Sequence, residues 1–199
     1  MNLPTFILAS ASPRRSELLR QIGVEFQTIP SDAEEALCES LSAGELTQLN
    51  AYRKARAVSK RFPDALTMGV DTLVATRDKI LGKPANLVEA HRMLWLLQGQ
   101  THYVVTGVCL IHLRTHRQRL FYEQTAVTFK PLTMEKIHSY HALVNPLDKA
   151  GGYAIQEKGD MIVESISGSF SNVVGLPLER LQEELGRFNV RIPQPCGAA

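Results

Sequence analysis

Asp71 is the residue of this chain whose setting most demands chemistry. It interrupts the apolar run Leu66 to Val74, which reads as a buried strand. An ionised carboxylate in such a run needs a partner, because an unpaired buried charge is costly. A metal ion, a bound water or a nearby base would supply one. The strand continues past it through Thr72, Leu73 and Val74, which argues against a carboxylate that merely caps a strand end. A second feature is the turn Ser10-Ala11-Ser12-Pro13-Arg14-Arg15. Ser12 suits an N-cap and Pro13 the first helical position, so both arginines fall in the first turn of a helix. Positive charge is unfavourable at that pole, and an anion there would satisfy the arginines and the unpaired N–H groups together. By itself the segment leaves three readings open: a phosphate seat, a solvated basic turn, and a nucleic-acid contact.

Other charged residues are less telling alone. Lys83 follows a short strand, Ile80-Leu81, in Gly82-Lys83-Pro84. Glu35 lies with Asp32 and Glu34 in a long acidic loop from Pro30 to Gly44. Lys54 falls on a helix expected from Glu45 to Arg61, where a solvated face accounts for most of the charge. His112 and His116 have the interval of helical metal ligands but fall in a strand and a turn, so zinc is rejected.

These residues must be held by an alternation of strands and helices. Phe6 to Ala9 reads as a strand, and a helix from Pro13 presents Leu18, Leu19 and Ile22 on one face before Gly23 stops it. Val24 to Ile29 suggests a second strand. The next helix turns Leu46, Leu49, Ala55 and Val58 inward. Asn86 and Glu89 have the spacing of a capping box for a helix carrying Met93, Leu94, Trp95 and Leu97 as a core stripe. Two long strands follow, about 102–113 and 119–129, joined by a basic hairpin with Arg114, His116, Arg117 and Arg119. Thr133 caps a helix to about His141. The segment Pro146 to Gln156 reads as a glycine-containing turn running into a strand, Met161 to Ile166 as another strand, and a last helix ends near Phe188. There is no internal repeat. The expected organisation is one domain over 1–199 with a mobile tail at 193–199.

Bulk properties narrow the function classes. The 199 residues, 44% hydrophobic, fill one α/β domain. A formal net charge of +2 does not suggest a general polyanion binder, although local basic clusters can still hold phosphates. Cys38, Cys109 and Cys196 are odd in number and far apart, as in a reducing compartment. No stretch has the length and apolarity of a membrane span or a signal peptide. The expectation is a cytoplasmic protein with no membrane partner and no stable nucleic-acid partner.

Five separated segments together resemble the Maf family of nucleotide pyrophosphatases. They are Leu8 to Arg15, Ser31 to Glu35, Arg53-Lys54-Ala55, Gly69-Val70-Asp71-Thr72 with Gly82-Lys83-Pro84, and Asp148 to Gln156 with Val174-Gly175-Leu176-Pro177. The resemblance covers nearly the whole chain. It implies a mixed α/β fold, an elongated twisted sheet flanked by helices, in two lobes around a nucleotide cleft. It also implies hydrolysis of a nucleoside triphosphate between the α and β phosphates, with Mg²⁺ or Mn²⁺. Asp71 matches the family's proton acceptor, and Glu35 a second acidic residue that helps hold metal. Lys54 and Lys83 match cleft lysines facing the phosphates, while Ser10, Ser12 and Arg15 belong to the phosphate-binding turn. Arg14, Thr72 and Gln156 match the positions of the group acting on dTTP and UTP. The group acting on 7-methyl-GTP has Trp and Gln at the first two. Arg53, Val70, Gly152, Ala154 and Phe170 depart from the commonest family residues without removing a proposed catalytic group. A homodimer is implied by the family and by the frequency of two-fold oligomers. Alternative readings are a house-cleaning pyrophosphatase for modified nucleotides and a nucleotide-responsive regulator of cell division.

Overall fold

The computed structural model describes residues 5–38, 40–190 and 192. The tail expected at 193–199, with Cys196, lies outside them. The chain begins with β1 (Phe6–Leu8), α1 (Pro13–Gln21) and β2 (Gln27–Thr28), a parallel β-α-β unit. Helix α2 (Ala43–Ser59) leads to β3 (Leu66–Ala75), which pairs parallel to β1 at Leu66–Met68. Strand β4 (Ile80–Leu81) folds back on Val74 and Ala75. After α3 (Leu87–Leu97), the long strands β5 (Thr101–His112) and β6 (Arg117–Phe129) continue the sheet antiparallel to β3. Helix α4 (Met134–Leu143), β7 (Val163–Ser167), α5 (Phe170–Val174) and α6 (Leu178–Arg187) complete it. The sheet order is β2-β1-β3-β5-β6-β7, with β4 beside β3. This is the expected mixed α/β sheet with helices on both faces.

Two lobes arise because β3, β5 and β6 are long enough to serve two cores. On one face, Met68, Val70, Val108, Leu110 and Phe121 pack with Leu18 and Leu19 of α1 and with Leu181 and Leu185 of α6. Further along the same strands, Val74, Val104, Val127 and Phe129 pack with Leu94 and Leu97 of α3 and Ile137 and Tyr140 of α4. Each such fully buried aliphatic side chain stabilises the fold by about 1.5–3 kcal/mol. The opposite face is covered by α2, whose Ala51 and Ala55 meet Cys109 and Ile111. The Cys109 thiol is pushed up to about 12 by burial, which suits an inert core thiol.

The cleft follows from how β3 is paired. On one side β5 accompanies it along its whole length; on the other, β1 pairs only as far as Met68 and β4 begins only at Val74. The intervening stretch, with Asp71 and Thr72, is an open edge between diverging partners. Open edges between diverging strands are where α/β proteins place ligands.

Several local expectations are corrected. The strand expected over 24–29 shrinks to Gln27–Thr28, because β1 is itself only three residues long. Leu49 and Trp95, assigned inward, are 36% and 49% exposed. The Asn86–Glu89 pair is half a capping box: Asn86 Oδ1 accepts from Glu89 N–H at 3.0 Å, but Glu89 accepts from Ala85 N–H, at 2.6 Å. A full box instead starts α2, between Ser42 and Glu45. The strand expected at the end of the 146–156 segment does not form. Gly151 and Gly152, at φ 71° and 73°, turn the chain, and Ala154 exchanges its backbone hydrogen bonds with the Tyr140 hydroxyl at 3.0 and 2.9 Å. The short helix α5 was not expected. The basic hairpin is locally neutralised, Arg114 by Asp64 at 2.6 Å and Arg119 by Glu184 at 2.8 Å. No helix among the described residues is long and apolar enough to cross a membrane.

One buried group makes stability depend on pH. His102 is fully buried, bonded through Nε2 to the Tyr153 hydroxyl at 2.8 Å and edge-on to Phe129. Burial pulls its pKa down to about 4. In the unfolded chain it protonates near 6.5, so below that pH the unfolded state binds the extra proton first. Stability is therefore complete above pH 6.5 and falls as pH drops towards 4, by on the order of 3 kcal/mol. His102→Gln should flatten the thermal midpoint against pH between 7 and 4. Parallel curves for the two proteins would assign the acid sensitivity elsewhere.

Candidate active site

The cleft encloses about 400 Å³, within the range of small-molecule sites. All ten residues singled out in the sequence line it: Ser10, Ser12, Arg14, Arg15, Glu35, Lys54, Asp71, Thr72, Lys83 and Gln156. Strand alternation sorts the two β3 residues. Asp71 shares its face with Gly69, against α2, whereas Thr72 faces the other way, towards Arg15.

On the α2 side, Lys54 joins the two carboxylates. Its Nζ donates to Asp71 Oδ1 at 2.6 Å and to Glu35 Oε1 at 2.7 Å. Asp71 is 4% exposed, and the lysine supplies the partner that a buried carboxylate in a strand requires. Burial alone would raise the Glu35 carboxyl. The hydrogen bond and charge of Lys54, with the charges of Lys83 and Arg15, outweigh it and hold Glu35 below the usual carboxylate range. Lys54, expected to face phosphates, thus has its ammonium on the carboxylates. Lys83 is the exposed lysine of the cleft.

On the opposite wall, Arg15 is committed to the protein. Nε donates to Gly175 C=O at 3.0 Å, Nη1 to Ser10 Oγ at 3.0 Å and Val70 C=O at 3.1 Å, and Nη2 to Thr72 Oγ at 3.0 Å. Four of its five N–H donors are used, one of them on the open edge of β3. Burial pulls its pKa down to about 10, against the raising influence of Asp71, so it stays cationic at neutral pH. Arg15 organises the wall rather than presenting a free fork. Ser10 Oγ also accepts from Ser12 N–H at 3.2 Å, and Ser12 occupies the N-cap of α1 without a side-chain cap bond.

Arg14 reaches across the cleft mouth. Its Nη1 donates to Asp148 Oδ2 at 2.8 Å and its Nη2 to the Asp148 carbonyl at 3.1 Å. Asp148 also accepts from Lys149 Nζ at 2.8 Å, and Lys149, 6% exposed, lies 3.5 Å from Glu157. Gln156 lines the cleft with an exposed amide. Asp148 and Lys149 carried no individual role in the sequence, although a charged pair just before two glycines was a usable signal. Asn50, which donates to Asp71 Oδ2 at 3.3 Å, had no such signal, since polar residues are common on helices.

The cleft therefore offers five cationic side chains and three carboxylates. That balance suits a polyanionic ligand and retains carboxylates for proton or cation chemistry. Among the described residues no group of three or more His, Cys, Asp or Glu side chains is gathered as a metal cluster.

Comparison with known proteins places the sequence in a family. The family model described as Maf-like protein matches residues 5–188. A Bacillus cereus protein named dTTP/UTP pyrophosphatase is 46% identical over 191 residues, 96% of this chain and 93% of its own. A Bacillus anthracis protein of the same name is 47% identical over 186 residues, 94% and 96% of the two chains. Among solved structures, a HAM1 protein from Coxiella burnetii aligns with a TM-score of 0.41 at 10% identity, over 63% of this chain and 73% of that one. The family match spans residues 5–188, and with relatives 46% and 47% identical over more than nine-tenths of the chain it shows that the chain belongs to the Maf family.

Proposed function

We propose that this chain is a nucleoside triphosphate pyrophosphatase that hydrolyses dTTP and UTP to the monophosphate and pyrophosphate. The observation that carries the reading is the buried Asp71 carboxylate, held by Lys54 beside Glu35 in a cleft otherwise rich in cations. The relatives named dTTP/UTP pyrophosphatase, similar over more than nine-tenths of the chain, support the substrate class.

In this reading Asp71 accepts the proton of the attacking water. Lys54 orients the carboxylate through its 2.6 Å hydrogen bond, and can share its charge with an incoming phosphate. Arg14 and Lys83 neutralise the triphosphate, aided by the first-turn N–H groups of α1. Asp71 and Glu35 fit Mg²⁺ or Mn²⁺ as hard oxygen donors, two carboxylates sufficing for a cation that also takes water and phosphate oxygens. When bound, such a cation offsets phosphate charge and stabilises the departing pyrophosphate. The reading includes a homodimer acting in the cytoplasm.

Gln156 carries the expected specificity, since its amide offers a donor and an acceptor to a pyrimidine edge. Pyrophosphate release should be measured across dTTP, UTP, CTP, purine triphosphates and 7-methyl-GTP, with and without Mg²⁺ or Mn²⁺. The expected result is cation-dependent turnover of dTTP and UTP. In Gln156→Ala the preference for them should narrow by roughly tenfold, the size of one lost polar contact. Preferred turnover of purines or 7-methyl-GTP would retain the enzyme and reject its specificity; an unchanged preference in the variant would reject Gln156 as the reader.

A further inference from the structure

Asn50 lies one turn before Lys54 on α2, is 3% exposed, and spends its amide on the active site. Its Oδ1 accepts from Ala36 N–H at 2.7 Å, and its Nδ2 donates to Ala36 C=O at 3.3 Å. This two-way exchange imitates pairing with a strand, and it ties the backbone directly after Glu35 to the helix. The same Nδ2 donates to Asp71 Oδ2 at 3.3 Å. An amide nitrogen has two hydrogens, so both donations can be made together.

The spacing explains why α2 can do this. Residues four apart share a helix face, so Asn50 and Lys54 approach Asp71 from successive turns and donate to its two different oxygens. Lys54 also bonds the Glu35 side chain, while Asn50 bonds the backbone beside it. A buried amide costs stability unless it is bonded. The bonds of Asn50 go to both elements that carry the acidic pair.

We infer that Asn50 is a positioning residue, which sets the Glu35 loop and the Asp71 carboxylate in register with each other. The inference rests on the proposed reading of Asp71 and Glu35 as the reacting pair. It assigns Asn50 no contact with substrate.

The test is a double-mutant cycle of kcat and KM for pyrophosphate release, over wild type, Asn50→Leu, Glu35→Gln and the double variant. Asn50→Leu should lower kcat by about 10- to 100-fold with KM within about threefold, as expected for lost bonds to a charged group. In the Glu35→Gln background the same substitution should cost less than about threefold, because the group it positions is already impaired. A residue that served packing alone would lower the thermal midpoint and give equal losses in both backgrounds. Equal losses, a folded Asn50→Leu within about twofold of wild-type kcat, or a change confined to KM would each overturn the inference. If Asn50→Leu does not fold, Asn50→Ser takes its place, a neutral and smaller side chain too short to span both partners. Absence of turnover by the wild type would sink the functional reading itself, whereas normal wild-type turnover with an indifferent Asn50 sinks only this assignment.

Discussion

Asp71→Asn is expected to reduce pyrophosphate release from dTTP and UTP by about 10³-fold while leaving the protein folded, the size of effect attached to loss of a general base. The substitution keeps the shape of the side chain and one acceptor oxygen, so bonds from Lys54 or Asn50 can still be made. It removes the charge that accepts the proton. Folding should tolerate the change, because Lys54 retains Glu35 as its counter-charge at 2.7 Å. Near-normal thermal stability by calorimetry beside lost turnover is the expected pair of results. If the folded variant turns over within about tenfold of wild type, Asp71 is not the proton acceptor. Glu35, the other cleft carboxylate on Lys54, would then be the residue to substitute next.

Gly107→Ala is expected to cost stability although Gly107 itself lines none of the cleft, and its reason is geometric. A Cβ at Gly107 would stand 2.4 Å from the Thr47 carbonyl carbon and 2.6 Å from Gln48 N. At Gly69, opposite Cys109 two pairs along, it would stand 2.1 Å from the Ala51 carbonyl oxygen. Both obstacles are backbone atoms of α2, which cannot rotate away as a side chain can. The helix must lift, and with it Asn50 and Lys54. Overpacking of this kind costs about 3 kcal/mol, which for a chain of this size lowers the thermal midpoint by roughly 6–12 °C. Activity should fall further than stability at temperatures where the variant stays folded, since α2 carries the donors to Asp71. Gly186→Ala is the control, because a Cβ there meets nothing within 4 Å and should not lower the midpoint. A midpoint for Gly107→Ala within about 2 °C of wild type would mean that α2 does not rest on the sheet as closely as described.

The two expectations share one cause. The face of β3 that presents Asp71 is also the face on which α2 lies almost in backbone contact. Close approach at Gly69 and Gly107 lets Lys54 and Asn50 reach a carboxylate that projects only a short way from its strand. The glycines are thus part of the site's geometry, although they line none of the cleft.

Much of this was legible along the chain. The strand-turn-helix opening, the two long strands, and the cap of α4 at Thr133 are local features, set by periodicity and by residues that favour helix termini. Asp71 was conspicuous because a charge in an apolar strand is improbable without a partner. The resemblance of five separated segments to one family collected the remaining candidates, and all of them line one cleft. The partnerships were not legible, because they join residues 17, 19 and 134 positions apart. Only the folded chain decides that Lys54 bonds the carboxylates, that Arg15 is consumed by Ser10, Val70, Thr72 and Gly175, and that Arg14 leans on Asp148. The failed strand after Gly152 has the same origin. Its apolar residues fit a strand, but the Tyr140 hydroxyl, brought in by α4, takes the backbone bonds of Ala154 that a ladder would have used. Periodicity reports which face a side chain shows to the core, and it carries no information on which distant donor will satisfy a buried acceptor.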